Sequence, residues 1–174
     1  YMYRYHAGMA QTHPFSSPWW QWPIMRRPAW YYQGSHGLDA GMVSSIVSMG
    51  NPAVWWPGIA AVVAGLWLAI RRREASIAFI LVALLSQLAP WAFAPRKLVF
   101  IYHFFPSVPF VVLAIVYAAK VLIDRHPAFR HVVRAYCVVV LGLFVLFYPI
   151  LSAMPVRKEF VLHWLTWFDS WIFL

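Results

Sequence analysis

Four apolar stretches dictate what this chain can become: residues 52–70, 75–93, 98–119 and 135–151, of 19, 19, 22 and 17 residues, none containing Asp, Glu, Lys or Arg. At about 1.5 Å of rise per helical residue they reach roughly 26–33 Å, the span of a hydrocarbon core about 30 Å thick. Buried helices of a water-soluble protein carry a polar face, and these stretches have almost none. Composition agrees. Of 174 residues, 63% are hydrophobic and 11% are charged, against about 45–50% and about 25% in a soluble domain. A soluble enzyme core and a disordered chain are thereby excluded. Cys137 is the only cysteine, which also excludes an internal disulfide framework. The expected class is an all-α membrane protein with four transmembrane helices.

Fourteen Lys and Arg against five Asp and Glu give a net charge of +9. Arg71, Arg72 and Arg73 follow the first stretch, and Lys120, Arg125, Arg130 and Arg134 follow the third. Arg96, Lys97, Arg157 and Lys158 lie on the alternate side. Seven against four places both chain ends outside by the positive-inside rule, with Arg26 and Arg27 also on the outer side. Residues 1–51 read as an extracytoplasmic, interfacial segment rich in aromatics and prolines. Within it, 29–33 and 42–48 could pair as a short β-hairpin across a glycine-containing loop. Residues 52–152 form the four-helix module and 153–174 an interfacial tail. There Phe160, Trp164, Trp167, Phe168 and Trp171 recur at helical spacing, as in an amphipathic helix lying in the head-group plane. Residues 1–11 have no apolar core of the signal-peptide kind, and a start at Tyr1 reads as a piece of a longer chain.

Polar residues inside spans are costly and therefore informative. Ser86, Gln87 and His103 all fall in outer halves. A helix continuous from residue 98 would extend a stripe through Arg96, His103 and Phe110, with Pro106 and Pro109 freeing carbonyls nearby. Gly58, Ala61 and Gly65 read as a close-packing face. Metal binding finds only scattered histidines, His126 and His131 among them. No glycine-rich phosphate loop and no nucleophile elbow is present. Nucleic-acid binding is set aside, because the aromatics lie where bilayer interfaces want them. The remaining candidates are His13, Trp19, Trp22, Arg26, Arg96 and His103 at the outer head-group level. Guanidinium groups pair with phosphate, and indole faces suit an isoprenoid or a sugar ring. On residue content alone, this reading and a general aromatic belt with snorkelling arginines both stand.

Longer motifs are more specific. Tyr5-His6, Thr12-His13-Pro14-Phe15-Ser16-Ser17-Pro18-Trp19-Trp20-Gln21-Trp22-Pro23 and Arg27-Pro28-Ala29-Trp30-Tyr31-Tyr32 occur in order, followed by Gly50-Asn51-Pro52-Ala53-Val54-Trp55-Trp56. Further on comes Tyr102-His103-Phe104-Phe105-Pro106-Ser107-Val108-Pro109-Phe110. Together they resemble the C-terminal four-span region of protein O-mannosyltransferases, over essentially the whole chain. The resemblance implies part of a GT-C fold and transfer of mannose from a polyprenyl-phosphate donor to Ser or Thr of secreted proteins. It implies no metal or organic cofactor, since the sugar arrives on its lipid. The expected partners are membrane lipid, that donor, an acceptor protein, and the N-terminal catalytic half or a homologous subunit. The expected location is the plasma membrane in a bacterium or the endoplasmic reticulum in a eukaryote.

One departure stands out: the family's catalytic Asp-Glu pair belongs to an early external loop, and no such pair occurs here. Asp39, Glu159 and Asp169 are the only acids on the expected outer side. No catalytic residue is therefore assigned, and the module alone is expected to be inactive. A non-catalytic membrane scaffold and a lipid-phosphate carrier component remain as alternatives.

Overall fold

A computed structural model describes Tyr5, Gly8 and residues 12–174. Within the first motif, His6 lies outside the described residues. Four helices are long and apolar enough to cross a membrane: Pro52–Arg72 (α1), Ala75–Phe93, Ile101–Arg125 and Phe129–Ser152 (α5). The second is built from Ala75–Leu88 (α2) and a short Pro90–Phe93 turn (α3), joined at Ala89. The third opens with a 3-10 segment, Ile101–Ser107, and continues as Val108–Arg125 (α4). Only 11–28% of each span's most apolar window is buried within the chain. The remaining apolar surface needs lipid or further protein around it, and the molecule is an integral, multi-pass membrane protein.

The third span departs from expectation at its start. Residues 98–100 are not helical, and Arg96 lies in the connector before the helix. The expected stripe through Arg96, His103 and Phe110 therefore does not exist. The reason is proline: Pro95 holds Ala94 in an extended conformation, with ψ 121°. Pro106 and Pro109 each lack an amide hydrogen, so the opening turns take the tighter 3-10 form. The fourth span begins earlier than residue 135, at Phe129, because Arg130, His131 and Arg134 extend the helix beyond the apolar stretch.

The chain forms two compact units. One comprises Asn51–Ala94 and Phe104–Leu141. Its core joins Ala61 and Leu68 of α1, Ile77 and Leu81 of α2, and Ala114 of α4. Gly58 and Gly65 lie on the buried face of α1, where an added Cβ would collide with Val111 and, at 2.9 Å, with Ile77. The expected small-residue face is thus where α1 packs against α2 and α4. Asn51 caps α1 by accepting from the Ala53 amide at 2.9 Å, and its own amide donates to the Val140 carbonyl at 2.8 Å. Pro57 cannot donate to the Ala53 carbonyl four residues back, and the Tyr136 hydroxyl of α5 donates to it instead, at 2.6 Å.

The other unit holds the described residues up to Gly50, Pro95–His103 and Gly142–Leu174. It contains an antiparallel sheet ordered β1 (Ala29–Gly34), β2 (Met42–Ser48) and β3 (Val156–Arg157). The expected hairpin is present, closed by a loop in which Gly37 and Gly41 have φ of 75° and 82°. A bulge between Trp30 and Tyr32 leaves Tyr31 as the extra residue of β1. Ser44 and Ser45 of β2 donate to the Ala153 and Phe173 carbonyls, at 2.7 and 3.0 Å. The tail differs from a single interfacial helix. Helical structure runs only from Lys158–Phe160 (α6) through a π-turn at Val161–Leu165. Beyond it Trp171 and Phe173 are buried, whereas Trp164 is exposed. Aromatic spacing alone does not separate a lipid-facing indole from one that folds back into a core.

Replacing Tyr136 with Phe strands the Ala53 carbonyl and should lower stability by about 1 kcal/mol, within the range for hydrogen bonds between membrane helices. Gly58→Leu should cost about 1–3 kcal/mol through overpacking. Thermal unfolding in mild detergent checks both, with Gly142→Ala, which meets nothing within 4 Å, as the neutral control.

Candidate functional site

The sheet-containing unit gathers all six candidates, His13, Trp19, Trp22, Arg26, Arg96 and His103. At its centre is a stack of rings. Trp22 is fully buried, and its indole N–H donates to the Ser17 carbonyl at 2.9 Å. Its ring lies parallel to that of His103, with centroids 5.7 Å apart and planes at 19°. His103 stacks on Tyr102 at 4.4 Å, and Tyr102 on Phe100 at 5.5 Å. His13 meets Phe100 edge-on at 5.2 Å and Phe15 at 5.7 Å. Tyr31, turned out by its bulge, approaches Tyr102 at 6.1 Å.

The local chain explains this register. Ser16 and Ser17 bind the connector before the third span: the Ser16 hydroxyl donates to the Val99 carbonyl at 3.0 Å, and the Ser17 amide to the same oxygen at 2.9 Å. Nδ1 of His103 lies 3.2 Å from the Phe100 amide and 3.0 Å from the Phe100 carbonyl. That nitrogen is tied to backbone in either tautomer, which fixes the ring plane. Arg96 is half-buried and close enough to act electrostatically on His103. Partial burial, then the neighbouring Tyr102, raises the Tyr31 phenol above its ordinary pKa, so it stays protonated at physiological pH.

Trp19 begins a 3-10 turn, Trp19–Gln21, that leads directly into Trp22. Arg26 is exposed and follows Met25, whose φ of 52° is left-handed. Met25 is held there by complete burial and by the Trp171 indole, which donates to its carbonyl at 2.7 Å. The ring stack therefore unites Trp22, His103 and His13, with Arg96 beside His103. Trp19 and Arg26 adjoin it through the chain.

Sequence reasoning named Tyr31 and Tyr102 only inside longer motifs and did not name Phe100, and the structure adds all three to the stack. The Tyr102-His103 pair was the usable signal. Asp39 and Glu159 line a separate cleft of about 490 Å3, together with Arg157 and Lys158. Among the described residues, no three His, Cys, Asp or Glu side chains converge as metal ligands. The arrangement offers a guanidinium, an oriented imidazole, phenol hydroxyls and flat aromatic faces.

Residues 1–171 match the model of the C-terminal four-transmembrane region of protein O-mannosyltransferase. The chain belongs to the protein O-mannosyltransferase family. It is 26% identical to a polyprenol-phosphate-mannose–protein mannosyltransferase of Mycolicibacterium smegmatis, covering 97% of this chain and 36% of the relative. A Mycobacterium tuberculosis protein of the same name is 25% identical, over 97% of this chain and 35% of its own length. A Corynebacterium glutamicum one is 26% identical, over 95% and 34%. The chain thus spans about a third of these curated relatives. The fold resembles that of the S. cerevisiae protein O-mannosyltransferase Pmt1-Pmt2 complex bound to the sugar donor. The TM-score is 0.82 and the identity 19%, over 99% of this chain and 25% of that one. The four-span architecture expected from the motifs is therefore present.

Trp171→Phe keeps the ring but leaves the buried Met25 carbonyl without its donor. It should cost about 1–3 kcal/mol and loosen the turn that carries Arg26. Chemical denaturation, with protease sensitivity at Arg26 and Arg27 as a local readout, checks this.

Proposed function

We propose that this chain is the C-terminal membrane module of a mannosyltransferase that takes mannose from a polyprenyl-phosphate donor and delivers it to Ser or Thr hydroxyls of exported proteins. The observation that carries the proposal is the Trp22–His103–Tyr102 stack beside Arg96, in a family whose relatives are named for that donor. The described residues up to Gly50, the tail after the fourth span and the connector after the second span share one unit, as an even number of spans allows. The basic-residue bias supports placing it on the extracytoplasmic side.

In this reading Arg96, with Arg26 nearby in sequence order to Trp22, offsets the donor's phosphate charge by charge-assisted hydrogen bonds. The Trp22 and Tyr102 rings hold His103 rigid, so its remaining ring nitrogen is presented without an ordering cost. His13 and Trp19 shape the approach of sugar and lipid. Attack by a hydroxyl needs a base, and a carboxylate is the expected one. Asp39 and Glu159 are in a different cleft, so this module binds and orients while the proton acceptor comes from elsewhere in the enzyme. A partner-subunit role without catalysis is the second reading, favoured by the missing Asp-Glu pair and by the two-protein solved complex.

In the complete enzyme, Arg96→Ala or His103→Ala should lower mannosyl transfer about 10–100-fold at unchanged protein level, as loss of a contact worth about 1.5–3 kcal/mol implies. Transfer from a radiolabelled polyprenyl-phosphate-mannose to an acceptor peptide measures it. Unaltered turnover in both variants would remove the donor-site reading, and full activity in a complex whose active subunit is the other chain would favour the partner role.

A further inference from the structure

The helical unit carries all its charge at one end of its helices. Arg71 and Arg72 end α1, Arg73 and Glu74 join it to α2, and Lys120, Asp124 and Arg125 lie in the last turns of α4. Arg130 and Arg134 occupy the first turns of α5. A topology signal requires nothing more than such a bias. Here, however, part of the cluster encloses a cleft of about 510 Å3 between the end of α1, the start of α2 and the end of α4.

Three cations line that cleft, Arg72, Lys120 and Arg125, with two carboxylates, Glu74 and Asp124. Arg72 pairs with Glu74 at 3.9 Å, and Lys120 pairs with Asp124 one turn along α4. Among the described residues Arg125 joins no ion pair, so the lining holds one uncompensated positive charge. Ser76 and Tyr117, both hydroxyl-bearing, also line the cleft. Tyr117, Val121 and Asp124 repeat at helical spacing, so this lining runs along one face of α4 from the charged end toward the apolar span.

We propose that this cleft binds the headgroup phosphate of an anionic glycerophospholipid from the adjoining leaflet. One net positive charge matches a phosphodiester, which carries one negative charge. Arg125 and Arg72 supply guanidinium donors, and Ser76 and Tyr117 supply hydroxyl donors. The acyl chains follow the apolar face of α4 past Val121. A free anion would satisfy the cations but leave that apolar exit unused. Basic pockets between membrane helices bind anionic head groups on this principle. The proposal is independent of the donor site, which involves the other unit.

The test is native mass spectrometry of the intact protein, released from bilayers of mixed phosphatidylglycerol and phosphatidylcholine. Wild-type protein should retain phosphatidylglycerol in preference. Retention should fall about fivefold for Arg125→Ala and further for Arg72→Ala with Arg125→Ala, as about 1 kcal/mol per basic residue near the surface implies. Arg125→Lys should retain most of it. Arg130→Ala with Arg134→Ala removes equal charge at the same end but outside the cleft, and should leave retention unchanged. An equal loss in that control would reduce the binding to diffuse attraction and overturn the site. So would equal retention of phosphatidylcholine, or displacement of the lipid by millimolar inorganic phosphate, which would mark a free-anion site. Thermal unfolding keeps the comparison to folded variants, and the single, solvent-exposed Arg125→Ala serves if the double variant does not fold.

Discussion

The Ala53 carbonyl shows the constraint under which the whole chain is built. A proline at position 57 removes the amide that would have closed the helical turn onto it. In water the freed oxygen would be solvated at no great cost, but in a span it needs a donor from the protein. Tyr136 supplies one, and Asn51 ties the same region of α1 to Val140. These two polar bonds hold α5 to the start of α1. Contact between α1, α2 and α4 is instead apolar and close, made possible where Gly58 and Gly65 let neighbouring side chains approach. Two kinds of helix attachment thus coexist in one bundle, and each follows from local sequence.

The same economy governs the sheet-containing unit. Four of its hydroxyls and indoles donate to main-chain carbonyls: Trp22 to Ser17, Trp171 to Met25, Ser44 to Ala153 and Ser45 to Phe173. Each bond ties a short irregular segment to a distant one or closes a tight turn. A region with only three short strands and brief helical turns would otherwise have little regular hydrogen bonding to define it. The aromatic residues therefore serve two purposes. Their faces build the stack around His103, and their polar edges satisfy the backbone that carries it.

Much of this was legible in the sequence, and the portion that was not has a physical reason. Span length and apolarity follow from bilayer thickness, so all four helices could be read directly, and the hairpin followed from alternation around a glycine-containing loop. Helix starts were less legible, because Arg96 and residues 98–100 were assigned by polarity while the backbone there answers to Pro95, Pro106 and Pro109. The tail was misjudged for a related reason. Trp164 and Trp171 look alike on a helical wheel, yet only Trp171 has a buried carbonyl to serve, and that partner is 146 residues away. Trp22, His103 and His13 were named as candidates, since aromatic and basic types at a membrane surface are few. Their stacking partners Tyr31 and Phe100 were not, because a β-bulge and a loop place them.

An imidazole fixed by two aromatic neighbours and a backbone contact is suited to holding a charged or polar group in one place. It is poorly suited to swinging between a nucleophile and a leaving group. Arg96, half-buried and close enough to act on it electrostatically, adds a positive charge that suits an anionic ligand. No carboxylate is among the residues that build this stack, and the acids of the same unit either line the Asp39–Glu159 cleft or, as Asp169, belong to the tail. Chemistry that consumes a hydroxyl proton therefore finds no carboxylate acceptor in the stack. On the proposed reading, the module contributes binding energy and orientation, and a carboxylate from the remaining two-thirds of a protein of the relatives' length completes the reaction. This division of labour explains why so basic and aromatic a module can do without catalytic acids of its own.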